Sequence, residues 1–257
     1  EEISKGRVYD VREYRFYRIS LTGGSIAKAI HAAHPEYLIS AYDLQKESLL
    51  LAQQEGILDT VWDENNLGLT SATFFFMAPT ECNCAYLKYL REDIIGTDCI
   101  LTDVGNIKGT IHREIDRVSL TANLSEVILS LQSFKRLFPF HPRFHLSSSL
   151  LYFDPIRGCL FSQAFCFYRL ISSLGTVPLV LTPQEHDYTL AGVSHLPQLL
   201  ESAYVAMLQR LDTKEHRLRN LMPRRPLSFD GNSSGWQQTC MENAPYISNL
   251  LDDISGP

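Results

Sequence analysis

The 257-residue sequence has no apolar stretch that approaches the length of a bilayer-crossing helix; its longest run, residues 72–79, is far too short. Its start is charged and rich in tyrosine and lacks the apolar centre of a signal peptide, so a soluble cytoplasmic protein with no membrane partner is expected. Cysteine is sparse. The six present (Cys82, Cys84, Cys99, Cys159, Cys166 and Cys240) fall short of a disulfide scaffold and read as buried or partly buried thiols. Cys82 and Cys84 form a C-x-C pair without a second pair at metal-ligand spacing, and Cys84-Ala85 lead straight into a helical pattern, so no metal site is expected. Excess charge is missing too: Lys and Arg number 23 against 29 Asp and Glu, a net charge of −6 that attracts neither nucleic acid nor an anionic membrane. An anionic ligand must be met by a few locally placed cations.

What is present is apolar material. A hydrophobic content of 45% in a chain of this length can fill one large core or two moderate ones. Residues 15–21 read as a strand, Thr22-Gly23-Gly24-Ser25 as a turn and residues 26–33 as a helix with small residues on one face. A second apolar strand over 37–42 is closed by Asp43, and residues 44–54 have helical periodicity up to Gly56. Residues 73–78, closed by Pro79, and 99–102 are further apolar runs of strand length. Strands that are apolar throughout and alternate with helices imply a parallel sheet covered on both faces. After a last strand over 177–181 the pattern changes. Thr182-Pro183-Gln184-Glu185 has the form of a capping box with proline at the first helical position, and residues 188–211 and 236–251 are helical in period. Residues 221–235 are rich in Pro, Ser, Gly and Asn and read as a loop. A domain of residues 1–182 followed by a helical domain of 183–257 is the expected division.

The first β-α-β unit has one half of a dinucleotide-binding signature. Asp43 stands 20 residues after Gly23, where an acid closing the second strand accepts hydrogen bonds from the adenosine ribose and favours NAD over its 2′-phosphorylated form. The other half is incomplete: only Gly23-Gly24-Ser25 is present of G-x-G-x-x-G. A Gly-Gly pair also serves as a plain structural turn, and Asp43 also reads as an exposed strand-end carboxylate.

The segment His186-Asp187-Tyr188-Thr189-Leu190-Ala191-Gly192-Val193-Ser194-His195-Leu196-Pro197-Gln198 resembles the H-D-x-x-x-A-x-x-S-H-L-P-[HQ] stretch of the prephenate and arogenate dehydrogenase family. In the family's order stand Gly23-Gly24-Ser25-Ile26-Ala27, Ala41-Tyr42-Asp43, Thr102-Asp103-Val104-Gly105-Asn106-Ile107-Lys108, His141-Pro142, and Trp236 with Glu242-Asn243. The resemblance runs from about residue 18 to residue 250, and no fused mutase or regulatory domain is expected within the sequence. It implies a Rossmann-like amino-terminal domain, a helical carboxy-terminal domain that makes a homodimer, NAD as cofactor, and a small substrate held between the domains beside the nicotinamide. The reaction implied is oxidative decarboxylation of prephenate to 4-hydroxyphenylpyruvate in tyrosine biosynthesis, with arogenate as the neighbouring substrate.

Residue by residue, the resemblance makes Gly23, Gly24, Ser25, Asp43 and Pro79 cofactor contacts. His141, in the H-P position, is the base for the ring hydroxyl, a task suited to an imidazole with a pKa near working pH. Asn106 occupies the place of the family's serine in D-x-G-S-x-K and keeps the capacity to donate and accept. Lys108 reads as a solvated lysine or as a cation near the cleft. His195 matches the substrate-side position of the first long helix, and Gln198 stands where many members have a second histidine. Nine residues at about 100° each put His186 and His195 on nearly opposite sides of an unbroken helix, so both face one cleft only if that helix is interrupted; His186 and Asp187 are assigned to the helix entry and the domain contact. A substrate with two carboxylates calls for a bidentate arginine, and Arg224 or Arg225 is the candidate.

Three stretches depart from the family pattern: the glycine loop; the Arg143-Phe144-His145 that follows His141-Pro142; and the connection over 161–175, which looks short of a strand and most of a helix. Two other functions stay open. One is a different NAD-dependent enzyme of the same plan, such as a 3-hydroxy acid dehydrogenase, against which the absence of its interdomain lysine speaks. The other is a non-catalytic dimeric relative with an impaired nucleotide loop.

Overall fold

The computed structural model describes residues 12–19, 21–62, 73–76, 80–94, 99–118, 150–153, 161–212 and 234–255. Pro79, His141, Arg224 and Arg225, and with them residues 143–145, lie outside the described residues.

The chain divides into two compact units, Glu1–Pro183 and Gln184–Pro257. In the first, β1 (Glu13–Tyr17), α1 (Leu21–Ala33) and β2 (Leu38–Tyr42) form a β-α-β unit, continued by α2 (Lys46–Gln54) and the short β3 (Thr60–Val61). There follow β4 (Thr73–Phe76), α3 (Thr80–Ile94), β5 (Ile100–Asp103) and α4 (Lys108–Arg117). These strands make one five-stranded parallel sheet in the order β3-β2-β1-β4-β5, with Tyr14 opposite Ile39 on one side and Thr73 on the other. This is a Rossmann-like sheet. The chain moves outward from β1 to β3 and then returns to the far side of β1, so the switch point, where open α/β sheets receive ligands, lies at the carboxyl ends of β1 and β4.

The central strand β1 and the strand β5 bury side chains on both faces of the sheet. Phe16 and Ile100 pack with Ile26 and Ile30 of α1, while their chain neighbours Tyr17 and Leu101 pack on the opposite face with Leu87 of α3 and Ile111 of α4. Two helices stop at glycines in the left-handed conformation that lacks a Cβ penalty: α2 before Gly56 (φ 71°) and, further on, α5 before Gly175 (φ 74°).

Two sequence expectations need correction. The turn over residues 22–25 is not a turn: β1 ends at Tyr17 and α1 begins at Leu21, so Gly23 and Gly24 lie in the first turns of the helix. The reversal is made earlier by Arg18, whose φ of 69° is the one positive value at a non-glycine among the described residues. Nor is the connection over 161–175 short of a helix, because α5 (Phe161–Ser173) occupies it between β6 (Leu150–Phe153) and β7 (Val177–Val180), a parallel pair in a separate two-stranded sheet. Phe167, Leu170 and Ile171 of α5 join the core beneath β1 and α1.

The second unit is helical throughout its described residues. Helix α6 (Pro183–Leu190) starts at the proline after Thr182, passes into a π-helical turn over Ala191–His195 and continues as α7 (Leu196–Leu211); α8 (Ser234–Glu242) and α9 (Ala244–Ser255) follow. Ala191, Leu196 and Ile247 form its core, with Leu199, Tyr246 and Leu250 around them.

Candidate active site

At the carboxyl end of β1 the left-handed Arg18 donates its backbone N–H to the Tyr42 carbonyl at 2.7 Å, tying the turn to the end of β2. The next residue, Ile19, donates its N–H to Oδ2 of Asp43 at 2.9 Å, and Gln45 donates to Oδ1 at 2.9 Å. Asp43 therefore braces the turn that carries the chain into α1. Each carboxylate oxygen still has a second lone pair for a hydroxyl donor. Counted back from Gly23, the G-x-G-x-x-G spacing puts Arg18 and Ser20 in the first two glycine places. Arg18 adopts the backbone geometry for which a glycine is normally used, at a strain of about 1–3 kcal/mol. Its side chain explains part of the tolerance: Nε donates to the Tyr86 hydroxyl of α3 at 2.9 Å, with the guanidinium 5.8 Å from the ring centre. Tyr86 in turn packs 4.2 Å from Tyr17. Gly24 has open space where a Cβ would stand, so the first turns of α1 leave room for a ligand backbone or phosphate.

At the end of β5, Asp103 is 1% exposed and accepts from a helix side chain and from two residues of the following loop. Asn83 Nδ2 donates to one oxygen; the Lys108 ammonium and the Gly105 N–H, the latter at 3.1 Å, donate to the other. Lys108 also reaches the Asp103 carbonyl at 3.0 Å. Lys108 is thus not a solvated lysine: at 2% exposure its charge is met inside the protein, which makes it a loop anchor more than a partner for a free carboxylate. The anchored loop 103–108 leaves Asn106 exposed beyond the sheet's carboxyl edge.

In the helical unit, the π turn answers the condition set by the nine-residue separation of His186 and His195. Leu196 bonds to the carbonyl of Ala191, five residues back, and the wider turn rotates the chain by less per residue. Pro197 is the cause legible in the sequence, because it has no N–H for the carbonyl four residues earlier and its ring crowds that carbonyl. Both histidines are buried. His186 Nδ1 lies 2.9 Å from its neighbour Asp187. Asn243, between α8 and α9, donates from Nδ2 to the Asp187 carbonyl at 2.8 Å, and the same nitrogen is 3.0 Å from His195 Nδ1. Trp236 meets the His195 ring edge-on at 5.6 Å. Burial pushes the His195 pKa down to about 4, against the smaller opposing pull of the Asp187 charge. Ser194 and Gln198 flank it, half-buried.

Residues 26–125 match the family model described as prephenate dehydrogenase, nucleotide-binding domain. The prephenate dehydrogenase of Bacillus subtilis is 24% identical over 221 residues, covering 80% of this chain and 54% of that protein. Over these residues the chain is similar to prephenate dehydrogenases. Among solved structures, the Aquifex aeolicus prephenate dehydrogenase in complex with hydroxyphenyl propionate and NAD+ superposes with a TM-score of 0.81 at 19% identity, covering 95% of this chain and 87% of that one. The Synechocystis arogenate dehydrogenase follows with a TM-score of 0.71 at 18% identity, covering 95% and 88%. The chain spans about half the length of the curated prephenate dehydrogenases it matches.

The described residues bring together Arg18, Asp43 and the start of α1, and separately His195, Asp187, Asn243 and Trp236. Asn83, Tyr86 and Arg18 were not singled out from the sequence, since polar and aromatic residues on a helix and a lone arginine carry no motif. Asn243 stood in the resemblance through Glu242-Asn243 without a role attached to it.

Proposed function

We propose that the chain is an NAD-dependent dehydrogenase that oxidatively decarboxylates prephenate. The observation that carries the reading is the Asp43-braced turn at the switch point of the parallel sheet, with Asp43 inside the residues that match the prephenate dehydrogenase nucleotide-binding model. Asp43 accepts the ribose hydroxyls, and the start of α1 with Gly23, Gly24 and Ser25 takes the pyrophosphate, beside Pro79. The room at Gly24 and the spare lone pairs of Asp43 fit a dinucleotide. Bound NAD supplies the hydride acceptor. His141 takes the proton of the ring hydroxyl while the ring carboxylate departs as carbon dioxide, and Asn106 orients the reacting group with its exposed amide. Gln198 and one of Arg224 and Arg225 bind the carboxylates. Lys108 serves by holding the loop that carries Asn106.

The structural likeness to an arogenate dehydrogenase keeps that substrate as the second reading. A homodimer through residues 183–257 is supported by Leu200, Tyr204, Met207 and Leu211, exposed apolar residues three and four apart along α7. No helix among the described residues is long and apolar enough to cross a membrane, which accords with a cytoplasmic enzyme. The deciding experiment mixes purified protein with NAD and prephenate, then arogenate, and follows absorbance of the reduced cofactor. Turnover that vanishes in His141→Ala supports the reading; tight NAD binding without turnover of either substrate, or no NAD binding at all, rejects it.

A further inference from the structure

The amide of Asn243 has one chemically permitted orientation. A peptide carbonyl only accepts, so the atom 2.8 Å from the Asp187 oxygen has to be the NH2 group and not the amide oxygen. The same NH2 lies 3.0 Å from His195 Nδ1 and offers it a hydrogen, so Nδ1 presents its lone pair. A neutral imidazole whose Nδ1 accepts carries its proton on Nε2.

We propose that Asn243 is a positioning residue that fixes His195 as the Nε2–H tautomer, a neutral hydrogen-bond donor offered to a carboxylate or carbonyl oxygen of the substrate. Three further observations agree. Among the described residues the hydrogen bond to the His195 ring is made at Nδ1 and none is made at Nε2. The edge-on indole of Trp236 limits rotation of the ring. The low pKa, caused mainly by burial, keeps the ring uncharged at neutral pH. In this state Nε2 has no lone pair and Nδ1 is engaged, so His195 does not act as the base. Its task is to hold an oxygen in place, and base catalysis falls to a group elsewhere. The substrate assignment rests on the dehydrogenase reading; the tautomer does not.

The test uses the full chain with 15N-labelled histidine, in which long-range proton-nitrogen spectra report each ring nitrogen separately, and His195→Gln identifies the His195 signals. Wild type at neutral pH is expected to show Nε2 protonated and Nδ1 bare; a proton on Nδ1, or on both, overturns the proposal without any variant. In Asn243→Asp the carboxylate can only accept, so the proton moves to Nδ1 and kcat/KM for the turned-over substrate falls roughly 10²-fold, the usual size for loss of one aligned donor. His195→Gln, which keeps an N–H donor, retains at least tenfold more kcat/KM than His195→Leu. Equal losses in these two would overturn the donor role. If wild type turns over neither prephenate nor arogenate, the dehydrogenase reading fails while the tautomer is still read from the spectra.

Discussion

The two units bury polar groups by opposite means. At the end of β5, Asp103 and Lys108 form a buried ion pair, with Asn83 and Gly105 also donating to the carboxylate. In the helical unit, His195 meets a neutral amide at Nδ1, and burial disfavours its protonated form by more than the Asp187 charge favours it. A paired charge fixes a loop and is unavailable for other partners. A neutralised ring keeps one donor for a ligand. The difference follows from what touches each group, not from depth, since Lys108 and His195 are about equally buried.

The comparison can be broken most severely at Lys108. Lys108→Met leaves Asp103 as an uncompensated buried charge and is expected to lower the unfolding free energy by about 3–5 kcal/mol in urea titration, while adding Asp103→Leu restores much of it. A stability unaffected by Lys108→Met would remove the ion pair from the account. The helical unit predicts a pH effect of the opposite origin. The folded His195 has a pKa near 4 against 6.5 unfolded, so the unfolded chain binds the extra proton first as pH falls. The contribution is complete above about pH 6.5, declines as pH drops and is exhausted near pH 4, a total of up to about 3 kcal/mol. His195→Gln should flatten that segment of the stability curve; an unchanged slope would mean that His195 titrates normally.

Smaller effects sharpen the nucleotide side. Asp43→Ala removes the brace on the turn and the proposed ribose acceptor, so the Kd for NAD measured by calorimetry should rise at least about tenfold, near 1.4 kcal/mol. An affinity unchanged by that substitution would reduce Asp43 to a structural role. The proposed homodimer through α7 predicts that wild type sediments as a dimer and that Leu200→Glu with Tyr204→Glu sediments as a monomer; a monomeric wild type would reject it. Least of all, Arg18→Gly relieves the left-handed strain and loses the Tyr86 bond, two terms of similar size, so the unfolding free energy should move by no more than about 1 kcal/mol.

Much of the fold was legible because it depends on local pattern. Apolar runs closed by Asp43 and Pro79, and the glycine at 56, mark elements whose ends depend on nearby residues alone. The glycine loop misled because Gly23-Gly24 has turn composition, yet the reversal had already happened at Arg18, a residue whose conformation is tolerated through contacts with Tyr42 and with Tyr86, 68 positions away. Helix α5 was read as truncated because its length was judged by comparison and not by its own period. Pro197 did announce an interruption, but a proline cannot say whether a helix kinks, stops or widens into a π turn.

The sequence by itself determined the alternation of strands and helices, the family signature and the acid at the end of β2, because periodicity, chain stiffness and residue spacing act over a few residues. Only the tertiary structure decided that Lys108 is an internal partner of Asp103 and that Asn243, 48 residues along the chain, dictates which nitrogen of His195 carries the proton. Burial and hydrogen-bond direction depend on what the fold places within about 3 Å, and no local pattern records it.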